Sequence, residues 1–329
     1  MTRILGMDDV RRLLPVEDSI ELQRQAFVAL SRGKVTAAPN GWLRLPGGDR
    51  RGWLKLLAAH DAESGGLGVK VLARFPNNPP GRNLGSLLLL FDDTDGTPLA
   101  VMDSVYITAV RTAAGAALAT QALARPGARS VAMVGTGALA WYSLLAHRHL
   151  LPALTEFTVY SRSEQRRAEF AQRAADEVGA AVRPVATVAE AVAGADVVIT
   201  ATNSPEPVLL AEHLEGGQHV NAIGIRTEIA PAAVALCRVF GDGRAETLLD
   251  GKFSVALAAG TVGEGDLGPD LGEVLDGGPG RAGPDDITMF DSSGVAVQDI
   301  ACAVHVWRAA TSEDIGTVVD LGAKDVLAG

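Results

Sequence analysis

Cysteine is scarce in this 329-residue chain, with only Cys237 and Cys302 present, both in apolar surroundings and without C-x-x-C spacing. That excludes a disulfide framework and a thiolate zinc site as organising devices. The six histidines are scattered without H-E-x-x-H or comparable ligand spacing, so no metal centre is expected. No G-x-S-x-G turn marks a hydrolase nucleophile. Positive charge is also short: 29 Lys and Arg against 39 Asp and Glu leave a net charge of −10. Nucleic acid and anionic membranes need a cationic surface, so neither is an expected partner. The longest apolar runs, such as Leu87–Phe91 and Val197–Ala201, fall far short of the roughly 20 residues that cross a bilayer. Met1-Thr2-Arg3-Ile4-Leu5-Gly6 holds no run of about 7–15 apolar residues of the kind that forms a signal-peptide core. A reducing cytoplasm is the expected compartment.

With 47% hydrophobic and 21% charged residues, the chain has too much apolar matter to be disordered and enough length for two domains. From Ser130 onward, apolar runs alternate with helical stretches. The expected strands are Val131–Val134, Phe157–Tyr160, a short run near Val182, Asp196–Thr200, His219–Ile223 and Arg238–Phe240; the expected helices are 138–150, 164–178 and 188–192. Strands apolar on both faces and separated by helices indicate a buried parallel sheet, doubly wound. The first 125 residues read as an α+β unit. A helix spans 16–31, and strands at 42–45, 52–58, 67–75, 84–91 and 98–102 are separated by turns such as Pro46-Gly47-Gly48 and Asp95-Gly96-Thr97. An alanine-rich helix over 108–124 ends before Pro126-Gly127, the expected domain boundary. The Gly-rich stretch 260–283 reads as an irregular surface loop.

Gly135-Thr136-Gly137-Ala138-Leu139-Ala140 is a G-x-G-x-x-A directly after a strand and directly before a helix. Gly135 suits a tight turn, Gly137 admits a pyrophosphate to the backbone, and Ala140 lets the helix pack close. On its own the motif is often just a βα turn; within a series of βα units it points to a dinucleotide. The second strand ends in Tyr160-Ser161-Arg162-Ser163, where a site selective for NAD would carry an acid on the ribose 2′-hydroxyl. Ser161, Arg162 and Ser163 instead suit a 2′-phosphate. NADP(H) is the expected preference, with NAD(H) tolerated.

Several segments, in order, resemble the ornithine cyclodeaminase/μ-crystallin family: Leu67-Gly68-Val69-Lys70, Phe75-Pro76-Asn77-Asn78, 96–103, Ile107-Thr108-Ala109-Val110-Arg111-Thr112-Ala113-Ala114 and Phe290-Asp291-Ser292-Ser293-Gly294. The match covers nearly the whole chain. It implies a Rossmann domain at 126–295, and a substrate-binding and dimerisation domain made of 1–125 and 296–329, with a returning helix at 297–310. Cys302 and His305 on that helix are expected to be packing residues. A homodimer is implied.

Lys70 shares one face of its expected strand with Leu72 and Arg74. A lysine buried beside apolar neighbours can have a lowered pKa and act as an acid or base, and it matches the family's functional lysine. Arg111 opens a run of small residues, where its fork suits a carboxylate; the resemblance gives it the substrate carboxylate, and gives Thr112 a place near the cofactor phosphates. A further substrate arginine of the family falls on Arg44, with Trp42 as the alternative. Thr200, Ala201, Thr202 and Ser292, like Gly135 to Leu139, are assigned to the cofactor. The family's cyclodeaminases carry an aspartate just after the Asn-Ala-Val/Ile-Gly strand. Here the chain reads Asn221-Ala222-Ile223-Gly224-Ile225-Arg226-Thr227-Glu228, and Glu228 reads as a structural acid rather than a substitute base. The expected activity is therefore reduction of a small imino acid, or amino-acid dehydrogenation in reverse. The alternatives are cyclodeamination with bound NAD+ and a μ-crystallin-like NADPH-dependent binder.

Overall fold

A computed structural model describes residues 1–47, 51–79 and 81–321. Gly48 of the expected Pro46-Gly47-Gly48 turn, and residues 322–329 of the expected first domain, lie outside the described residues. The amino-terminal elements are β1 (Thr2–Leu5), α1 (Met7–Leu13), α2 (Val16–Ser31), β2 (Val35–Ala37), β3 (Gly41–Arg44), β4 (Trp53–Asp61), β5 (Gly66–Arg74), β6 (Leu84–Phe91), β7 (Pro98–Asp103) and α3 (Val105–Leu123). Then come β8 (Ser130–Val134), α4 (Ala138–Leu150), β9 (Glu156–Tyr160), α5 (Glu164–Val178), β10 (Val182–Val185), α6 (Val188–Val192), β11 (Val197–Thr200), β12 (His219–Ala222), α7 (Pro231–Val234), β13 (Arg238–Gly241), α8 (Arg244–Asp250), α9 (Lys252–Ala258), α10 (Leu271–Leu275) and β14 (Thr288–Asp291). The described chain closes with α11 (Ala296–Glu313) and β15 (Thr317–Val319). No helix among the described residues is long and apolar enough to cross a membrane.

The chain divides into two compact units, Met1–Arg111 with the segment from Val295 onward, and Thr112–Gly294. The division falls inside α3 rather than at Pro126-Gly127. Its later half is tied to the second unit, where Ala116 joins the core and Thr120 Oγ1 accepts from Asn221 Nδ2 at 2.7 Å.

In the first unit the sheet runs β15-β1-β7-β6-β5-β4-β2, with β3 also on β4. Neighbours are antiparallel except β1 and β7. Helix α11 is apolar on nearly every side and is buried against the sheet and α2. Its seat depends on two glycines of β5. A Cβ on Gly66 would lie 2.6 Å from Ile300 Cγ2, and one on Gly68 2.8 Å from Ile300 Cδ1 and 2.6 Å from the Leu89 carbonyl oxygen, so the helix fits only because neither position carries a side chain. Lys70 follows on the same face. On the opposite face Leu56, Val71 and Leu87 stand in register across three strands, with Leu56 and Leu87 exposed at 41% and 52%. Cys302 is buried, whereas His305 is partly exposed, 3.5 Å from Asp18 Oδ2.

The second unit holds a parallel sheet in the order β10-β9-β8-β11-β12-β14-β13, with an apolar core on each face. This is the Rossmann winding, and the strand order reverses between β8 and β11. The stretch 260–283 is not a plain surface loop: it contains a 3₁₀ turn (Glu264–Asp266) and α10, anchored because Leu267 and Leu271 are buried.

A buried polar chain crosses this unit. His147 stands in the last turn of α4, where a helix carboxyl end favours cations, yet it is fully buried, and burial takes its pKa down to about 4. Its Nδ1–H donates to the Ser143 carbonyl at 2.8 Å, which leaves Nε2 to accept from Thr120 Oγ1 at 2.8 Å. His219 is likewise buried, with its pKa lowered to about 3 by burial; its Nε2–H donates to Asn221 Oδ1 at 3.3 Å, and Nδ1 accepts from Thr288 Oγ1 at 2.9 Å.

Candidate active site

Two constellations of polar groups stand out, one in each unit. In the first, Lys70 is only 1% exposed, and its Nζ lies 2.7 Å from Asp299 Oδ1 and donates to Thr108 Oγ1 at 3.3 Å. Arg111 Nη1 donates to Gln298 Oε1 at 2.9 Å, and Arg111 Nε is 3.5 Å from Asp299 Oδ1. Burial brings the Lys70 ammonium down to about 8; Asp299 opposes the fall, while Arg111 and Lys55 add to it. Burial pushes Asp299 up, yet Lys70 and Arg111 hold its carboxyl below the usual range. Arg111 Nε, Gln298 Nε2 and Asp299 Oδ2 lack a hydrogen bond among the described residues, and Asp299 Oδ1 has only its ion-pair contacts. Buried groups left in this condition are rare, and their clustering marks a place made for something else.

Lys70 and Arg111, 41 residues apart in sequence, are thus brought together around one carboxylate that sequence reasoning did not single out. Arg44 is exposed on β3, its guanidinium 4.8 Å from the Trp42 ring. Lys55, buried on β4 opposite Trp42 in register, is a third cation of the cluster. The Trp42 ring lies 4.9 Å from Lys55 Nζ. A single lysine on an alternating strand gave no sign of this; only cross-strand register reveals it.

In the second unit, β8 ends in Gly135 at φ 127°, where a Cβ would lie 2.5 Å from the Ala201 carbonyl oxygen. Only glycine makes that turn. Gly137 precedes α4, is exposed, and has open space where a side chain would stand. No side chain caps α4, so the amides of its first turn, from Ala138 and Leu139 onward, face outward with the helix's partial positive charge. Thr136 lies half-buried in the same turn, and Ala140 is buried beneath it. Anionic phosphate fits this arrangement, at the strand-order reversal where doubly wound sheets bind ligands.

At the end of β9, Arg162 is exposed, Ser163 Oγ caps α5 by accepting from Arg166 N at 3.3 Å, and the Ser161 carbonyl accepts from Arg167 Nη1 at 2.6 Å. Thr112 is buried in α3. Thr200 Oγ1 donates to Glu228 at 2.8 Å, as do the Thr202 hydroxyl and amide, and Gly224 N adds a fourth bond at 2.7 Å. Glu228 is thereby a structural acid that shapes the loops after β11 and β12, with Ala201 between the two threonines. Burial raises its pKa. Ser292 Oγ is 3.4 Å from Asp242, which also takes the Ser293 hydroxyl and the Gly294 amide. Lys252, absent from the sequence reading, is buried and donates to the carbonyls of Ala222, Gly224 and Ser292 at 2.7, 3.0 and 3.2 Å. It fastens the ends of β12 and β14 to each other.

A fold with a Rossmann unit and an α+β unit, the latter holding a buried lysine–arginine–aspartate cluster, defines a class of nucleotide-dependent amino-acid enzymes. The chain belongs to the ornithine cyclodeaminase/mu-crystallin family, whose model matches residues 1–314. Among its relatives, an alanine dehydrogenase of Archaeoglobus fulgidus is 31% identical over 326 residues, covering 97% of this chain and 98% of that one. Among solved structures, the Thermococcus litoralis Δ1-pyrroline-2-carboxylate reductase in complex with NADH and L-proline superposes with a TM-score of 0.90 at 26% identity, covering 96% of this chain and 100% of that one. An archaeal alanine dehydrogenase dimer with bound NAD gives 0.89 at 29% identity, covering 97% and 99%.

Proposed function

We propose that this chain is an NAD(P)H-dependent reductase of a small imino acid, working in reverse as an amino-acid dehydrogenase. The observation that carries the reading is the buried Lys70–Asp299–Arg111 cluster in a chain that also has an open Rossmann glycine turn. The relatives act on such substrates: a pyrroline-2-carboxylate reductase and an alanine dehydrogenase. Gly135 to Leu139 would hold the cofactor phosphates, Ser161 to Ser163 the ribose, and the loops carrying Thr200 to Thr202 and Ser292 the nicotinamide end, with Thr112 near the phosphates. When bound, the nicotinamide supplies hydride to the imino carbon. Arg111 holds the substrate carboxylate, and Lys70 donates a proton to the nitrogen, a role suited to an acid whose pKa lies near 8. Glu228 already accepts four hydrogen bonds, which disfavours it as the amine base that cyclodeamination needs. NAD(P)H oxidation at 340 nm with 2-oxo acids plus ammonia or methylamine, and with cyclic imino acids, tests the reading. Ornithine turnover without net absorbance change would replace it with cyclodeamination.

Within this reading, NADPH is preferred over NADH through Arg162, with Ser161 and Ser163 beside it. A charge-assisted phosphate contact contributes about 1.5–3 kcal/mol. Arg162→Ala should therefore raise the Kd for NADPH by roughly tenfold or more, and that for NADH far less. Equal loss for both cofactors, measured by fluorescence titration, would remove the 2′-phosphate assignment.

The row of exposed Leu56, half-buried Val71 and exposed Leu87 supports a homodimer formed through the first unit. A dimeric alanine dehydrogenase among the similar structures points the same way. Sedimentation at micromolar concentration should give twice the 34.1 kDa chain mass, and Leu56→Glu with Leu87→Glu should halve it. A single-chain species for the unaltered protein would defeat the proposal.

A further inference from the structure

We propose that Asp299, near the start of α11, is a positioning residue for Lys70: its carboxylate fixes the ammonium in place and keeps it protonated until a substrate nitrogen takes the proton. The kinetic consequence rests on the imine-reductase reading; the pairing itself rests on geometry. Lys70 is faced by Thr108 and Arg111 from α3, by Lys55 from β4 and by Asp299 from α11. Two of these are cations, and together with burial they favour a neutral Lys70. Among the charged groups named, Asp299 alone works the other way, at 2.7 Å.

Asp299 is fully buried; its Oδ1 takes the Lys70 ammonium at 2.7 Å, and its Oδ2 has no hydrogen bond among the described residues. A buried carboxylate so poorly served elsewhere persists only because cations stand beside it, and here those cations are the two assigned to the substrate. The preceding residue treats Arg111 the same way. Gln298 Oε1 accepts from Arg111 Nη1 at 2.9 Å and from the Val295 amide at 3.3 Å, which fixes the amide at the helix entrance. Adjacent side chains on one helical turn therefore set both cations, and their spacing follows from a single rigid element rather than from two loops.

The test follows the Lys70 side-chain nitrogen by NMR in ¹⁵N-lysine-labelled protein, a readout independent of turnover, alongside the pH profile of kcat. In the unaltered protein Lys70 should be protonated at pH 7. In Asp299→Asn its titration midpoint should fall by about 1–3 pH units, the shift typical of losing an adjacent opposite charge. The alkaline limb of kcat should move down equally, while cofactor affinity stays put. Asp299→Glu should recover most of both. An unchanged midpoint in folded Asp299→Asn overturns the proposal. So does a neutral Lys70 at pH 7 in the unaltered protein, which decides the matter even if the Asn variant does not fold. A midpoint that shifts in a protein unable to reduce any imine supports the pairing and defeats the reductase reading instead.

Discussion

Lys70→Arg is expected to lower kcat by about 10²–10⁴-fold, the usual contribution of a positioned acid or base. An arginine keeps the positive charge beside Asp299 but does not release its proton at useful pH. Arg111→Lys should behave differently. A point charge survives there while the planar fork that grips a carboxylate is lost, so KM rises and kcat changes less. Cofactor affinity should change little in either variant, because the glycine turn and the β9–α5 turn belong to the other unit. Steady-state kinetics with the substrate found at 340 nm separates the two effects. Near-native kcat in Lys70→Arg would make Lys70 an electrostatic clamp, with the proton drawn from water.

Acidification should destabilise the second unit before most carboxylates titrate. His147 and His219 have folded pKa values lowered by burial to about 4 and about 3, against 6.5 for the free side chain. Above pH 6.5 both are neutral folded or unfolded and contribute no pH dependence. Below it the unfolded chain takes up protons that the folded chain refuses, so stability falls with pH down to the folded values. By linkage the two together cost roughly 4 kcal/mol at pH 5 relative to pH 7.5. Asp270, raised to about 6 mainly by burial, titrates in the opposite sense, as do Glu228 and Asp291, also raised by burial; these acids favour the folded state as pH falls and offset part of the loss. Urea unfolding at pH 5 and 7.5 measures the difference. His147→Gln and His219→Asn should each flatten the slope; an unchanged slope in both would assign the acid sensitivity elsewhere.

The Rossmann half was legible because its signals are local. Glycines mark the turn after β8, Ser163 and Gly179 bracket α5, and apolar runs four or five residues long give the strands; α4, α5 and α6 fall at the residues expected. Helix α11 was also legible, from the family resemblance and from the apolar repeat Val297, Ile300, Ala301, Val304 and Trp307. What escaped was set by distant packing. Asp299 sits in a mostly apolar stretch of helix, and only the fold sets it beside Lys70 of β5. Lys252 looks like any surface lysine, and its three carbonyl acceptors come from two strand ends far along the chain. The helix–loop–helix character of 260–283 was hidden because glycines outweigh Leu267 and Leu271 in sequence, though not in the folded core. The burial of His147 was hidden in the same way: a helix end favours cations only where water reaches it.

Gly66 and Gly68 give the chemistry a control point made of backbone alone. A methyl group at either position meets Ile300, the residue next to Asp299, so the strain would travel one step along α11 to the partner of Lys70. Anyone reshaping this enzyme for a larger imine by random mutation would then recover inactive variants at two glycines that carry no reactive group. Those losses would register as damaged acid strength, with substrate affinity spared. The same two sites offer the engineer a coarse dial: moving the helix outward trades the tightness of the Lys70 pairing for room above it.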